Sequence, residues 1–464
     1  MANSSGKQES TSRRDFLKMT AALGAGMTLG SRPAGAAGVP RPNILIVLTD
    51  QEREDIPRAL MHLPQRAELE QRGIRLTHAF VTAPQCSASR STLMTGLYPH
   101  NSGVVTNVDH SSLGRALSPN IPTLGSVFRD HGYKTAYLGK WHMTDGLGGG
   151  TNSSDDSDAL KAFGFDHYHF LSGSQLADAA GEWIANQSSR PWLLVVSFPY
   201  LPHNMYRVVK LMEKIKIRPG VKLPPNFNDN LKGKPAAQEQ FLQRDQGHVS
   251  LGWGEEQWLR YRSYYLELIE KVDGYLGKIL EPLRRRSDAD DTVVVYSSDH
   301  GDMGGAHHLP FKGPFMYDEL LRVPMVISYP RRFHSPVVSD SLVSNVDLVP
   351  TLAGMAGIEW PQPLPGKDFS LLFDHPKETM RAAAFAEYYG KQHWVNPIRT
   401  IRTGDWKYNL YVEPGREVAE ELYDLHADPG ELNNLAHQSA YADARANMRA
   451  RLLRWRRETH DPLL

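Results

Sequence analysis

Four apolar runs of strand length, each followed by polar residues able to do chemistry, constrain this chain more than any other feature. Asn43-Ile44-Leu45-Ile46-Val47-Leu48 ends at Thr49-Asp50-Gln51, and Thr135-Ala136-Tyr137-Leu138 ends at Lys140-Trp141-His142. Trp192-Leu193-Leu194-Val195-Val196-Ser197-Phe198 ends near His203, and Thr292-Val293-Val294-Val295-Tyr296 ends at Asp299-His300. None alternates with polar residues, as expected of strands covered on both faces. Open parallel sheets hold their ligands in the crevice beyond the carboxyl ends of the strands, so fold and site are predicted together.

Helical segments fit between these runs. In 259–283, Tyr264, Leu268, Val272, Tyr275, Leu276 and Ile279 share an apolar face, and Glu281-Pro282 marks the end. The aromatic members of that face read as core packing. The alternation predicts an α/β fold, a large, mostly parallel central sheet flanked by helices, over 41–376. Residues 146–157, rich in Gly, Ser and Asp, read as a surface loop, and 205–252 as a long irregular insertion bordering the site after His203. From about residue 377 the pattern changes to short alternating runs: Ile398-Arg399-Thr400-Ile401-Arg402, Trp406-Lys407-Tyr408-Asn409-Leu410-Tyr411 and Glu421-Leu422-Tyr423-Asp424-Leu425. These predict an antiparallel sheet in a smaller C-terminal α+β subdomain, 377–464, closed by a helix over about 441–459.

The amino-terminal 37 residues do not read as folded structure. A polar leader precedes Ser12-Arg13-Arg14-Asp15-Phe16-Leu17-Lys18 and then an Ala/Gly-rich apolar stretch ending near Ala34-Gly35-Ala36, the order of a twin-arginine export signal. The apolar stretch is short and glycine-rich for a transmembrane helix, so a periplasmic or secreted protein without a stable membrane anchor is expected. Lys+Arg and Asp+Glu both total 52 in 464 residues, without runs of like charge, which argues against nucleic acid or anionic membrane as a partner. The single cysteine, Cys86, excludes an intramolecular disulfide.

Cys86-Ser87-Ala88-Ser89-Arg90-Ser91-Thr92-Leu93-Met94-Thr95-Gly96 follows Pro84 and turns helical, which sets Cys86 at or near a helix amino terminus, where an anion is favoured. The segment resembles the signature of the type I sulfatases, Cys-x-Pro/Ala-x-Arg followed by a short helix and Thr-Gly, in its alanine form. Its companions fall in order: Asp50-Gln51, Gly139-Lys140-Trp141-His142, Pro202-His203, Ser298-Asp299-His300-Gly301-Asp302, Phe311-Lys312-Gly313, Arg322-Val323-Pro324, Trp406-Lys407-Tyr408 and Glu421-Leu422-Tyr423-Asp424-Leu425. The resemblance covers essentially the whole mature chain and places it in the alkaline phosphatase-like superfamily. It implies hydrolysis of a sulfate monoester to alcohol and inorganic sulfate.

The resemblance also implies a mechanism. A maturation enzyme would oxidise Cys86 to formylglycine. One hydroxyl of the hydrated aldehyde would attack sulfur; the other, once deprotonated, would expel sulfate. Charge develops on the attacking oxygen, the transferred group and the leaving group, which calls for a metal and several cations. Asp50 and Asp299 are hard oxygen ligands suited to calcium or magnesium, and the resemblance adds Gln51, His300 and the formylglycine oxygen at position 86. By matching motif positions, Arg90 would hold the formylglycine, Lys140 and Lys312 would contact the sulfate oxygens, and His142 would act as the base that releases sulfate. His203, with Lys312, would protonate the leaving alcohol. His307-His308 is a further candidate ligand or substrate contact, whereas Arg322, Trp406 and Tyr423-Asp424 read as structural.

The chain departs from the family pattern in two places. Many members carry a second Asp where this chain has Gln51, and an Asn where it has His300; these two residues look more like choline sulfatases and like phosphonate or phosphate ester hydrolases of the superfamily. Gln51 removes a negative charge and His300 is a softer ligand, so manganese joins calcium, the first expectation, and magnesium. Two rival readings follow: a phosphonate monoester or phosphodiester hydrolase using the same site, and a non-catalytic binder of sulfated glycans. The retained set of Lys140, His142, His203 and Lys312 speaks against the binder, which needs neither a base nor a proton donor. Expected partners are a small-molecule or carbohydrate sulfate ester, the formylglycine-generating enzyme and the twin-arginine export machinery.

Overall fold

The apolar runs are strands. The computed structural model describes residues 41–463 except 109–112, 146–157, 189–190, 204, 392–393 and 414–415. The expected signal, residues 1–37, and the loop 146–157 lie outside the described residues. The strands are β1 Asn43–Asp50, β2 Gly73–Leu76, β3 Ala79–Phe80, β4 Lys134–Gly139, β5 His167–His169, β6 Trp192–Pro202, β7 Thr292–Ser298, β8 Met325–Ser328, β9 Val337–Ser339 and β10 Val343–Ser344. In the carboxyl-terminal part follow β11 Ala384–Lys391, β12 Trp394–Arg402, β13 Trp406–Glu413 and β14 Arg416–Asp424.

Eight of them form one sheet in the order β5-β4-β6-β1-β7-β8-β2-β9. Only β8 runs against its neighbours; every other pairing in this sheet is parallel. β1 lies at the centre, with Ile44 opposite Leu193 of β6 and Val293 of β7, and every residue of β1 is buried. Its side chains alternate between two cores. Ile44, Ile46 and Leu48 face the core that contains Leu93 and Met94. Leu45 and Val47 face the core filled by Leu176 and Ile184 of the helix Gly173–Ala185 and by Leu268, Val272, Leu276 and Ile279 of the helix Glu255–Arg284. This double burial is why β1, β6 and β7 carry unbroken apolar runs.

The helix Glu255–Arg284 extends past the end expected at Pro282. Proline lacks one N–H and so removes one hydrogen bond, a small loss in a last turn whose Leu283 is buried in the core. The stretch expected to be irregular, 205–252, contains helices at Met205–Leu211 and Ala236–Arg244. β11 to β14 form the expected antiparallel sheet in sequential order, with the helix Ala442–Glu458 packed on it through Met448, Leu452 and Trp455. No helix among the described residues is long and apolar enough to cross a membrane.

Candidate active site

Four strand ends and one helix terminus converge. β1 delivers Asp50 and Gln51, β4 delivers Lys140 and His142, β6 delivers His203, and β7 delivers Asp299 and His300. Two local irregularities aim these residues. In β4, Gly139 has φ 95°, and a Cβ there would stand 2.0 Å from the Ser197 carbonyl oxygen. Only glycine permits the turn after which the Lys140 N–H donates to that carbonyl at 2.9 Å. Between β1 and β6 the register slips: Leu48 faces Ser197, yet Asp50 faces Pro202, where an unbroken register would give Pro199. The extra residues bring the His203 N–H to the Asp50 carbonyl oxygen, 3.0 Å away.

Cys86 is the first residue of the helix Cys86–Thr95, entered from extended Gln85 and closed by Gly96 in the left-handed region; all ten residues of the helix are buried. The Cys86 Sγ lies 2.8 Å from Lys312 Nζ, 3.2 Å from His300 Nε2 and 3.6 Å from Asp50 Oδ1. Lys312 Nζ also reaches His300 Nε2 at 2.7 Å. His300 Nδ1 sits 2.9 Å from the Gly301 carbonyl, which can only accept, so Nδ1 carries the proton and Nε2 presents a lone pair to the site.

The two carboxylates are arranged alike. Asp50 Oδ2 accepts from Lys140 Nζ at 2.9 Å, and Asp299 Oδ2 accepts from Arg90 Nε at 2.9 Å, leaving each Oδ1 toward the cluster. Arg90 is further fixed by donating from Nη1 to the Lys140 carbonyl at 2.9 Å and to Ser197 Oγ at 2.5 Å. Its Nη2 is buried with no partner among the described residues.

The electrostatics follow from burial against this ring of cations. Burial pushes the Cys86 thiol up, but Lys140 and Lys312, with a hydrogen bond from His142, pull it well below the ordinary thiol value. Burial likewise raises Asp50, yet Lys140 above all, then His203 and Lys312, hold it far below the usual carboxylate range. His203 is pushed down to about 4 by burial and by Lys312 and Lys140, against the pull of Asp50.

Asp50, Cys86, Asp299 and His300 bring one potential ligand atom each to within 4.8 Å of one another. Gln51 fits the same purpose. Its Nε2 donates to Asp302 Oδ2 at 2.5 Å, and its Oε1 is buried with no partner among the described residues, an acceptor left for a cation. The donor set of two carboxylates, an amide oxygen and an imidazole nitrogen suits a divalent metal.

Asp302 is held in turn by the Tyr261 hydroxyl, which donates to its two oxygens at 2.7 and 2.8 Å, and by the Gly304 N–H at 2.7 Å. Sequence reasoning left Asp302 without a role and missed Tyr261 and Ser197. Asp302 stands inside a quoted motif, which was a usable signal; Tyr261 falls on a helix face that reads as core. His307 belongs elsewhere: Nδ1 meets Asp229 Oδ2 at 2.6 Å, Nε2 meets Asn226 Nδ2 at 3.1 Å, and the ring stacks on Tyr317. With both ring nitrogens engaged, it ties the insertion to the loop after β7 rather than joining the cluster. The His308 ring packs against Phe227 and Trp258.

Comparison with known proteins decides the family. A model of the sulfatase family matches residues 42–358, well over half of the chain. The chain belongs to the sulfatase family. A model of the carboxyl-terminal part of N-sulphoglucosamine sulphohydrolase matches residues 305–458. This sulfatase is 30% identical over 464 aligned residues to a sulfatase of Escherichia coli, YidJ, covering 91% of this chain and 88% of that one. It is 27% identical over 437 residues to the Delta 4,5-hexuronate-2-O-sulfatase of Bacteroides thetaiotaomicron, covering 90% and 89%. Among solved structures, the phosphonate monoester hydrolase of Agrobacterium radiobacter shares the fold, with a TM-score of 0.69 and 22% identity, covering 90% of this chain and 96% of that one. A model of twin-arginine translocation signals matches residues 10–30, as expected for a periplasmic or secreted protein. This sulfatase is thus an exported sulfuric ester hydrolase.

Proposed function

We propose that this sulfatase cleaves a sulfate monoester through a formylglycine made from Cys86 by a maturation enzyme, working beside a divalent metal, calcium first. The observation that carries the reading is the position of Cys86: at a helix amino terminus, within reach of Lys312 and His300 and facing two carboxylates already neutralised on their outer oxygens. Asp50, Gln51, Asp299 and His300 would hold the metal, which when bound would polarise a sulfate oxygen and favour the ionised nucleophile.

The chain's own groups do the rest. Arg90, locked by Asp299, Ser197 and the Lys140 carbonyl, fixes the residue at position 86. Lys140 and Lys312 offset negative charge on the sulfate oxygens. His142, already hydrogen-bonded to the position 86 side chain, takes the proton that frees sulfate. His203 is neutral in the ligand-free site, because burial and the two lysines disfavour its charged form; the negative charge of a bound ester raises it, so it protonates the leaving alcohol once substrate is present, with Lys312 alongside.

Mass spectrometry of the tryptic peptide containing position 86, from protein made in its own host, tests the nucleophile. A peptide about 18 Da lighter than the cysteine form is expected, together with hydrolysis that disappears in Cys86→Ala. An intact, alkylatable thiol would overturn the reading.

Gln51 and His300, which set this site apart from many sulfatases, favour one second reading, hydrolysis of a phosphonate monoester or phosphodiester. Rates on p-nitrophenyl sulfate and on phenylphosphonate esters separate the two, and dominant phosphonate turnover would replace the sulfate assignment. For the alcohol half we favour a sulfated sugar, since a relative of similar length acts on a hexuronate 2-O-sulfate.

A further inference from the structure

One ion pair near the reacting groups is used by no step above. Lys391, the last residue of β11, places Nζ 3.1 and 3.0 Å from the two carboxylate oxygens of Asp245, and their side chains are 20% and 18% exposed.

Two independent elements bring the pair to the site. β11 runs beside the segment leading into Cys86: the Glu387 N–H donates to the Thr82 carbonyl at 2.8 Å, and the Gly390 carbonyl accepts from Gln85 Nε2 at 2.9 Å and from Thr106 Oγ1 at 2.7 Å. Lys391 is the next residue along, just as Cys86 follows Gln85. From the other side, the helix Ala236–Arg244 packs on the loop that carries Lys312. A Cβ on Gly313 would stand 2.8 Å from Phe241 Cδ2, and Phe241 meets Phe315 edge to face at 5.2 Å. That helix ends at Asp245. Lys391 senses the active-site lysine: burial lowers it, Asp245 opposes this, and the charge of Lys312 lowers it further.

We infer that Lys391 and Asp245 form the part of the substrate site that reads neighbouring hydroxyl groups on the sugar of a carbohydrate sulfate. The inference rests on the sulfatase reading above and narrows its substrate class. An ammonium has three donors and a carboxylate about four acceptor positions, so a pair joined by two contacts still offers both a donor and an acceptor. The pair is neutral overall, and it complements adjacent hydroxyls, each of which donates and accepts. An aryl leaving group carries no pair of adjacent hydroxyls to bond both partners, and a quaternary ammonium would meet the lysine as well as the carboxylate.

The test compares kcat/KM on D-glucosamine 6-sulfate, on an unsaturated hexuronate 2-sulfate disaccharide and on p-nitrophenyl sulfate for the wild type, Lys391→Met, Asp245→Asn and Lys391→Arg. The ratio of the better sugar sulfate to the aryl sulfate is expected to fall at least about tenfold in the first two variants, through KM, because a site built to bond substrate hydroxyls loses selectivity when one partner is removed. Lys391→Arg, which keeps the charge and donors, is expected to restore part of the ratio. Aryl turnover in the same samples reports that each variant is folded. Unchanged ratios, or a wild type that hydrolyses the aryl ester and neither sugar sulfate, would overturn the inference while leaving the sulfatase chemistry standing. Absence of turnover on all three, with an unmodified Cys86 peptide, would instead remove the reading beneath it.

Discussion

Gln51 shows how one amide can be made to present a single end. Asp302 is an acceptor for Nε2, and Tyr261 and Gly304 donate to Asp302 from its other sides, so the amide cannot turn over without setting its oxygen against a carboxylate. Asp302→Ala should therefore weaken divalent metal binding about ten- to a hundredfold, the usual effect of removing a group that orients a ligand. Calorimetric titration of calcium into metal-stripped protein measures this, and unchanged affinity would separate Asp302 from the site. At this scale the sequence was informative where a residue followed a strand or opened a helix. Asp50, Cys86 and Asp299 stood out in that way, while Gln51 and His300 became candidate ligands only through the family resemblance. Tyr261 was not, because its partner lies 41 residues away and a tyrosine at helical spacing among Trp258 and Tyr265 reads as packing.

Among the elements, the antiparallel sheet depends on a buried polar ladder as well as on its apolar face. Thr400, Asn409 and Glu421 stand in register across β12, β13 and β14. Thr400 Oγ1 donates to Asn409 Oδ1 at 2.8 Å, and Asn409 Nδ2 donates to Glu421 Oε2 at 2.8 Å. Glu421 also accepts from the hydroxyls of Tyr411 and Tyr423 and from Gln238 Nε2 in the insertion. Every partner donates, so Glu421→Gln places an NH2 group against N–H or O–H donors. A loss of about 2 kcal/mol is expected, read as a lower denaturant midpoint; an unchanged midpoint would mean that the amide finds other partners. The strands themselves were legible from their alternation. The contact of Gln238 with the sheet was not, since the insertion's polar composition resembles that of a free loop until its helix Ala236–Arg244 is placed.

For the molecule as a whole, acid should be destabilising well before the carboxylates titrate. Burial pushes both His203 and His78 down to about 4, from an ordinary value of 6.5, and in His78 the guanidinium groups of Arg322 and Arg402 add to the effect. In the unfolded chain these rings take up protons as the pH falls through 6.5, whereas in the folded chain they stay neutral until about 4. Stability is thus fully present above pH 6.5 and declines between 6.5 and 4 by up to about 1.4 kcal/mol per pH unit for each proton so gained. Melting temperatures of metal-free protein across that window check this. A flat profile would show that the rings are protonated in the fold, and His203→Asn should reduce the slope.

The helix that begins at Cys86 has no residue at the surface, and for the proposed formylglycine this would set an order of events in the life of the chain. An enzyme that must recognise the residues around a cysteine cannot reach them once they are packed under a sheet. On the proposed formylglycine reading, oxidation of Cys86 would therefore belong to the interval between synthesis and folding. A copy that folded before modification would keep its thiol and stay inert, so the working fraction of a preparation would record a race that ended before the first substrate was met.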